Sequence, residues 1–237
     1  MAPATLSREP HLLDRPVWNA LASRQAPLAI GGVLARRFHP DFGPFGDVVD
    51  DSPEAGAALA ALVPPGGRVV LLRADRCPVP AGMGVELSAA ALQMVAMRVR
   101  PPTRSVPLAP LDDADAPQMR ALAELTEPGP FAVRTHELGT FFGVRLEGRL
   151  VAMAGERMRP DGFTEVSGVC THPDYRGRGY AGALMSAVMA GIVARGETPF
   201  LHVYSANTGA IALYEALGFV RRCEMTLTVL VRTQDAR

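Results

Sequence analysis

The apolar residues of this chain fall in short runs whose period changes along its length. Residues 163–171, Phe-Thr-Glu-Val-Ser-Gly-Val-Cys-Thr, alternate as a half-buried strand does. Residues 181–194 are almost continuously apolar, which suits a buried helix and is too short to cross a bilayer. Residues 199–204 read as the next strand, and 207–219 as a helix closed by a C-cap glycine at Gly218. Upstream, 140–146 and 149–158 are strands around Glu147-Gly148, a tight hairpin signal. Downstream, 219–231 predicts a final strand pair.

The first hundred residues are patterned as a compact α/β unit. A helix is expected over 16–23, with proline near its first turn. Residues 28–38 are strand-like, and 39–52 form a loop rich in Pro, Gly and Asp. A helix over 53–63 follows, N-capped by Ser52. After a turn at 64–67 come a strand at 69–73 and two apolar stretches at 85–87 and 92–99. Residues 101–107 read as a linker, 112–125 as a helix with an acidic first turn, and 135–139 as a short turn. Two regions result, 1–104 and 105–237. Strands joined by crossover helices give an α/β (α+β) layer fold, with a mixed central sheet flanked by helices.

Composition narrows the function classes. Formal net charge is zero, which favours neither nucleic acid nor a membrane surface as partner. All 24 basic residues are arginine, so a Walker-type phosphate loop and a Schiff-base lysine are excluded. Cys77, Cys170 and Cys223 lie far apart with no metal-ligand spacing, so no metal site is expected and a reducing cytoplasm fits. The first nine residues lack the apolar core of a signal peptide.

The chemistry concentrates in His172-Pro-Asp-Tyr-Arg-Gly-Arg-Gly-Tyr-Ala181, which lies between the strand at 163–171 and the apolar helix. Backbone N–H groups at a helix start have no helical partner and sit at the positive end of the helix dipole. Gly177 and Gly179 let a diphosphate approach, and Arg176 and Arg178 add charged donors. Gly177-x-Gly179-x-x-Gly182 also matches the dinucleotide fingerprint. That reading wants a buried parallel strand directly before the glycines and an acidic residue at the end of the next strand. Here a polar loop intervenes, and the next strand ends in Ser205-Ala206-Asn207.

Read as (Gln/Arg)-x-x-Gly-x-(Gly/Ala), the segment 176–181 resembles the pyrophosphate turn of the GNAT superfamily of acetyl-CoA-dependent N-acetyltransferases. Asn207-Thr-Gly-Ala-Ile-Ala-Leu-Tyr214-Glu-Ala-Leu-Gly-Phe219 resembles the late helix of that superfamily, in the right order and at a suitable spacing. The resemblance covers roughly 105–232. A branch that includes the glycine N-acyltransferases has two halves, of which only the second keeps the cofactor motifs. The helix and strand order of 1–104 allows it to be such a degenerate copy.

The resemblance implies acetyl-CoA as cosubstrate and a small-molecule or peptide amine as acceptor. It implies that the cofactor diphosphate meets the N–H groups of Gly177, Arg178, Gly179, Tyr180 and Ala181 together with Arg176. Pantetheine would add to the strand edge at Val169, Cys170 and Thr171, with a backbone N–H near Val169 as oxyanion donor. Asn207 would bond the pantetheine amide, or simply cap its helix. Glu165, 11 positions before Arg176, matches the position of a catalytic glutamate and is expected as general base, with Glu156 as substitute and Ser167 in the same cleft. Tyr214 is expected to protonate the leaving thiolate; its bland alternative is core packing. His172 reads as a turn residue and His202 as a satisfied core histidine. His136, Phe141 and Phe142 are pocket candidates. The acidic stretch at Asp47, Asp50 and Asp51 would meet an amine if the N-terminal half covers the cleft. A non-catalytic acyl-CoA-binding module would keep the same cofactor motifs. Oligomeric state and acyl length are not legible.

Overall fold

The structure, a computed structural model, describes residues 11–100 and 105–233. The N-terminal segment and residues 101–104 of the expected linker lie outside the described residues. In chain order the elements begin with α1 (Pro16–Ala22), β1 (Ala29–Gly31), β2 (Ala35–Phe38), β3 (Gly46–Val48), α2 (Pro53–Leu62), β4 (Arg68–Arg73) and β5 (Met83–Ala96). Then follow β6 (Ala109–Leu111), α3 (Ala116–Thr126), β7 (Phe141–Leu146), β8 (Arg149–Glu156) and β9 (Phe163–Thr171). The chain ends with α4 (Tyr180–Ala194), β10 (Thr198–Tyr204), α5 (Thr208–Leu217) and β11 (Phe219–Arg232).

Local chemistry accounts for most boundaries. Ser52 Oγ accepts from the Ala55 N–H and caps α2. Glu147 and Gly148 both have positive φ, as a two-residue hairpin turn requires between β7 and β8. Asn207 caps α5 through the Ala210 N–H, and Gly218 ends it at φ 104°.

Eight strands form one sheet in the order β4-β11-β5-β10-β9-β8-β7-β6, and β1-β2-β3 form a small second sheet. The β9–β10 pair is the parallel one in the large sheet; its other ladders are antiparallel. A strand set of this kind is not the parallel sheet that a dinucleotide site needs. The sheet also runs across the boundary drawn at residue 104. β5 lies between β10 and β11, and β4 lies outside β11. The longest strands of the N-terminal half are therefore part of the sheet of the C-terminal half. Three expectations are corrected in detail: 219–231 is one long strand with a bulge, the stretches at 85–87 and 92–99 belong to the single strand β5, and 28–38 divides into β1 and β2.

Helix α4 packs on one face of β7 to β10 and buries Leu184, Met185, Val188, Met189 and Ile192. Each such side chain contributes about 1.5–3 kcal/mol. On the opposite face α3 packs Met119 and Leu122 against Met153 and Cys170 of β8 and β9, and the N-terminal half covers the rest, where Phe38, Phe42 and Phe45 pack with Leu72, Phe200 and Met225.

β9 and β10 pair only at their starts, from Thr198↔Phe163 to Phe200↔Glu165. Beyond that point β9 follows β8 as far as Thr171 and β10 follows β5 as far as Tyr204. A wedge opens between two central strands. In β9, three residue steps from Ser167 to Cys170 face two steps in β8, and Gly168 takes φ 61° in this bulge. The bulge re-aims the end of β9 along the wedge.

Candidate active site

Two cavities meet at the wedge. The larger, about 590 Å³, runs from the end of β9 to the start of α4. Val169, Cys170 and Thr171 form one wall, and the turn from Arg176 to Ala181 forms its base. Asn207, Ala210, Leu213 and Tyr214 of α5 face them. Every residue expected to hold cofactor thus lines one continuous cleft.

The turn itself has the expected anion-site features. Gly177 and Gly179 adopt φ 74° and 82°, where a side chain would be strained. A Cβ on Gly177 would meet no protein atom within 4 Å, so it would project into open space. Gly179 is the N-cap of α4 and offers no side-chain cap, leaving the first N–H groups of that helix free for a ligand. Arg178 is held over the Tyr175 ring at 4.9 Å, and Arg176 Nε donates to the Thr171 carbonyl at 3.4 Å. The Cys170 thiol is pushed by burial up to about 11, so it is no nucleophile. Among the described residues there is no cluster fit to hold a metal ion.

The smaller cavity, about 170 Å³, lies on the sheet face that the N-terminal half covers. Phe45, Leu72, Ala91 and Leu227 make it apolar, while Arg157, His202 and Tyr204 supply polar groups. Its mouth is the segment Glu127-Pro-Gly-Pro130 after α3. Val169, Asn207 and Tyr214 line both cavities. Tyr214 is half-buried, edge-on to Phe219 at 6.1 Å, and burial raises its phenol pKa. It therefore keeps its proton at neutral pH. Core packing and a place at the cavity junction coexist in this one side chain.

Glu165 is placed differently from the expectation. It lines neither cavity and is 1% exposed. Arg157 donates to it twice, Nε to Oε2 and NH2 to Oε1, each at 2.8 Å. His202 Nδ1 lies 2.7 Å from Oε1, and the Met158 N–H lies 3.3 Å from Oε2. Burial alone would raise its pKa, but the Arg157 charge and the hydrogen bonds from Arg157 and His202 outweigh this and bring it down to about 2. A carboxylate with both oxygens occupied and so low a pKa is not a free base, and the expected role of Glu165 is corrected on that ground.

The other polar candidates sort themselves by contact. Glu156 is buried against Arg195 at 2.8 Å and lines neither cavity. Ser167 likewise lines neither. Phe141 is core beneath Gly155 and Gly168, and Phe142 packs on the main core. His136 pairs with Asp113 at 3.1 Å, away from both cavities. His172 accepts from the Asp174 N–H at the turn it was expected to form. Asp47 and Asp51 pair with Arg73 and Asp50 accepts from Ser52, and none of the three lines either cavity. The N-terminal half reaches the smaller cavity instead, through Phe45, Leu72 and Ala91.

Arg157 was missed as a cavity residue, whereas His202 is the satisfied histidine expected, with a buried side chain, and also lines the smaller cavity. Gln93 shows how His202 is set. Arg222 NH1 donates to Gln93 Oε1 at 2.6 Å, so Gln93 Nε2 is the end that faces Leu13 O at 2.8 Å and His202 Nε2 at 2.9 Å. His202 Nε2 must then accept, which puts the ring proton on Nδ1, facing Glu165. The signal for Arg157 was present: it ends one strand of a hairpin opposite Glu165, an opposite-charge cross-strand pair.

Comparison with known proteins agrees with the geometry. Residues 141–229 match the model of the FR47-like protein family. The chain is 34% identical over 130 residues to the N-alpha-acetyltransferase RimI of Mycobacterium tuberculosis, covering 50% of this chain and 81% of that protein. The chain belongs to the GNAT family of N-acetyltransferases. A solved GNAT-family structure from Novosphingobium aromaticivorans is 46% identical, with a TM-score of 0.89, over 95% of this chain and all of that one. The N-terminal half is therefore shared as well. A GCN5-related N-acetyltransferase from Kribbella flavida, 18% identical, has the same fold at a TM-score of 0.57 over 92% of each chain. No described helix of this acetyltransferase is long and apolar enough to cross a membrane.

Proposed function

We infer that this acetyltransferase moves the acetyl group of acetyl-CoA to a primary amine by direct attack in a ternary complex. The observation that carries this is the meeting of the two cavities at Tyr214 and Val169, one cavity based on the glycine turn and the other smaller and largely apolar. The diphosphate lies on the N–H groups of residues 177–181 with Arg176 and Arg178 beside it. Pantetheine extends along Val169, Cys170 and Thr171, where β9 has no partner on the β10 side. Asn207 caps α5 and borders the same path.

The acceptor amine occupies the smaller cavity and attacks the thioester carbon. A C–N bond forms, the C–S bond breaks, and Tyr214 gives its proton to the departing thiolate. A backbone N–H near Val169 stabilises the oxyanion. Glu165 acts as a positioning residue that fixes Arg157 and His202 in the cavity wall. Three free cysteines suit work in the reducing cytoplasm.

Calorimetric titration with acetyl-CoA, with NADH as control, followed by an assay of thiol release with primary amines, tests the reading. Binding of acetyl-CoA alone and amine-dependent thiol release are expected. Preference for NADH refutes the cofactor assignment, and binding without thiol release with any amine leaves an acyl-CoA-binding module.

A further inference from the structure

The reacting amine arrives as an ammonium ion and must lose a proton before it attacks. The carboxylate expected to take it, Glu165, is saturated by Arg157 and His202. His202 is no substitute, because its Nε2 lone pair faces the amide of Gln93, whose other end is held by Arg222. The proton acceptor must lie elsewhere in the cavity wall.

Glu127 is the one carboxylate among the described residues that line the acceptor cavity. Among the described residues no ion pair or hydrogen bond engages its side chain, and it is exposed at the mouth. Its place is fixed by its backbone. The Glu127 N–H bonds the Ala123 carbonyl at 2.8 Å, ending α3, and the residue sits in the left-handed region at φ 49°, ψ 54°. Glycine or asparagine is the usual occupant of such a helix end. Pro128, Gly129 and Pro130 then stiffen the mouth. Thr126, one residue earlier, lines the cofactor cleft. The end of α3 therefore separates the two cavities, with Glu127 on the acceptor side.

We propose that Glu127 receives the ammonium of the acceptor and takes its first proton, which frees the nitrogen lone pair that then attacks the thioester, and that this selects cationic primary amines. The assignment rests on the acetyl-transfer reading above. The balance closes: the ammonium gives one proton to Glu127, the attacking nitrogen loses a second on becoming an amide, the thiolate gains one, and one proton leaves to solvent. The short, exposed position of Glu127 also lets that proton escape without passing the buried Glu165 pair.

The test is thiol release from acetyl-CoA with alaninamide, propylamine and 1,4-diaminobutane, for the wild type, Glu127→Gln and Glu127→Asp. The Gln variant should lose kcat/KM by about tenfold or more, the low end of which is below the usual range for acid–base catalysis, while acetyl-CoA affinity changes less than about twofold. The Asp variant should recover part of the loss. Turnover by the wild type with Glu127→Gln within about twofold of it overturns this assignment and leaves the transferase reading intact. Absence of thiol release from wild type that binds acetyl-CoA overturns both.

Discussion

Arg157 grips Glu165 through two parallel hydrogen bonds of 2.8 Å, and of the two only Arg157 lines the smaller cavity. Arg157 also lies over the Phe45 ring at 4.6 Å, so one guanidinium ties β9 to the N-terminal half. Removing one partner strands the other charge. Glu165→Gln is expected to destabilise the fold by about 3–5 kcal/mol, as breaking a buried pair does. Urea unfolding of the variant against the wild type measures it. A loss below about 1 kcal/mol would mean the pair is solvated in solution.

The same pair predicts an acid limb of stability. The carboxyl of Glu165 titrates near 2 in the folded protein against about 4.3 in an unfolded chain. A depressed folded value means that its stabilising contribution is complete above the unfolded value and lost as pH falls from about 4.3 toward 2. Unfolding free energy measured across that window should fall more steeply in the wild type than in Glu165→Gln. Parallel profiles would show that other carboxylates carry the acid sensitivity.

Sequence patterning reached the cofactor cleft more completely than the acceptor cavity, and the reason is contact order. β9, the glycine turn and the capped α5 are local: alternation, positive-φ glycines and an Asn cap are written within a few residues. The acceptor cavity is assembled from Phe45, Leu72, Ala91, Arg157 and Leu227, which meet only because β5 inserts between β10 and β11. Nothing in the run around Ala91 signals that insertion. Glu165 was misjudged for a related reason. Alternation places it on one strand face, but whether that face is wet or sealed depends on the aromatic residues of the N-terminal half.

Tyr214 sits where the cavities join, and its hydroxyl is perturbed by burial alone. Tyr214→Phe keeps the ring against Phe219 and removes only the proton donor. Turnover should fall about tenfold to a hundredfold, near the lower end of acid–base contributions, with acetyl-CoA affinity unchanged. Because burial raises the phenol pKa, wild-type activity should not decline through loss of this proton until pH exceeds the ordinary tyrosine value of about 10. Steady-state kinetics over pH decide it, and an unaltered kcat would reduce Tyr214 to packing.

Arg176 and Arg178 flank the turn at the base of the cofactor cleft, and both are exposed. Replacing either with Gln should weaken acetyl-CoA binding and flatten the dependence of its Kd on ionic strength, since exposed charges are screened beyond about 8 Å at physiological salt. Gly177→Val is expected to act differently. Its Cβ projects into the cleft where the diphosphate must pass, so affinity should fall at every salt concentration. Titrations at low and high salt separate the two, and equal salt slopes in the wild type and both arginine variants would remove the arginines from the site.

Glu127 carries a backbone cost for its position. A non-glycine residue in the left-handed region is disfavoured by roughly 1–2 kcal/mol, and glycine removes that penalty. Glu127→Gly should therefore be more stable than the wild type by up to about 1 kcal/mol, after the greater flexibility of the unfolded glycine chain is subtracted. It should also be much less active, because the carboxylate at the cavity mouth is gone. Thermal unfolding and thiol release on the same preparation test the pair of effects. Raised stability with lost activity is the signature of a residue kept for chemistry. Lowered stability would show that the side chain, and not the helix end, holds this segment in place.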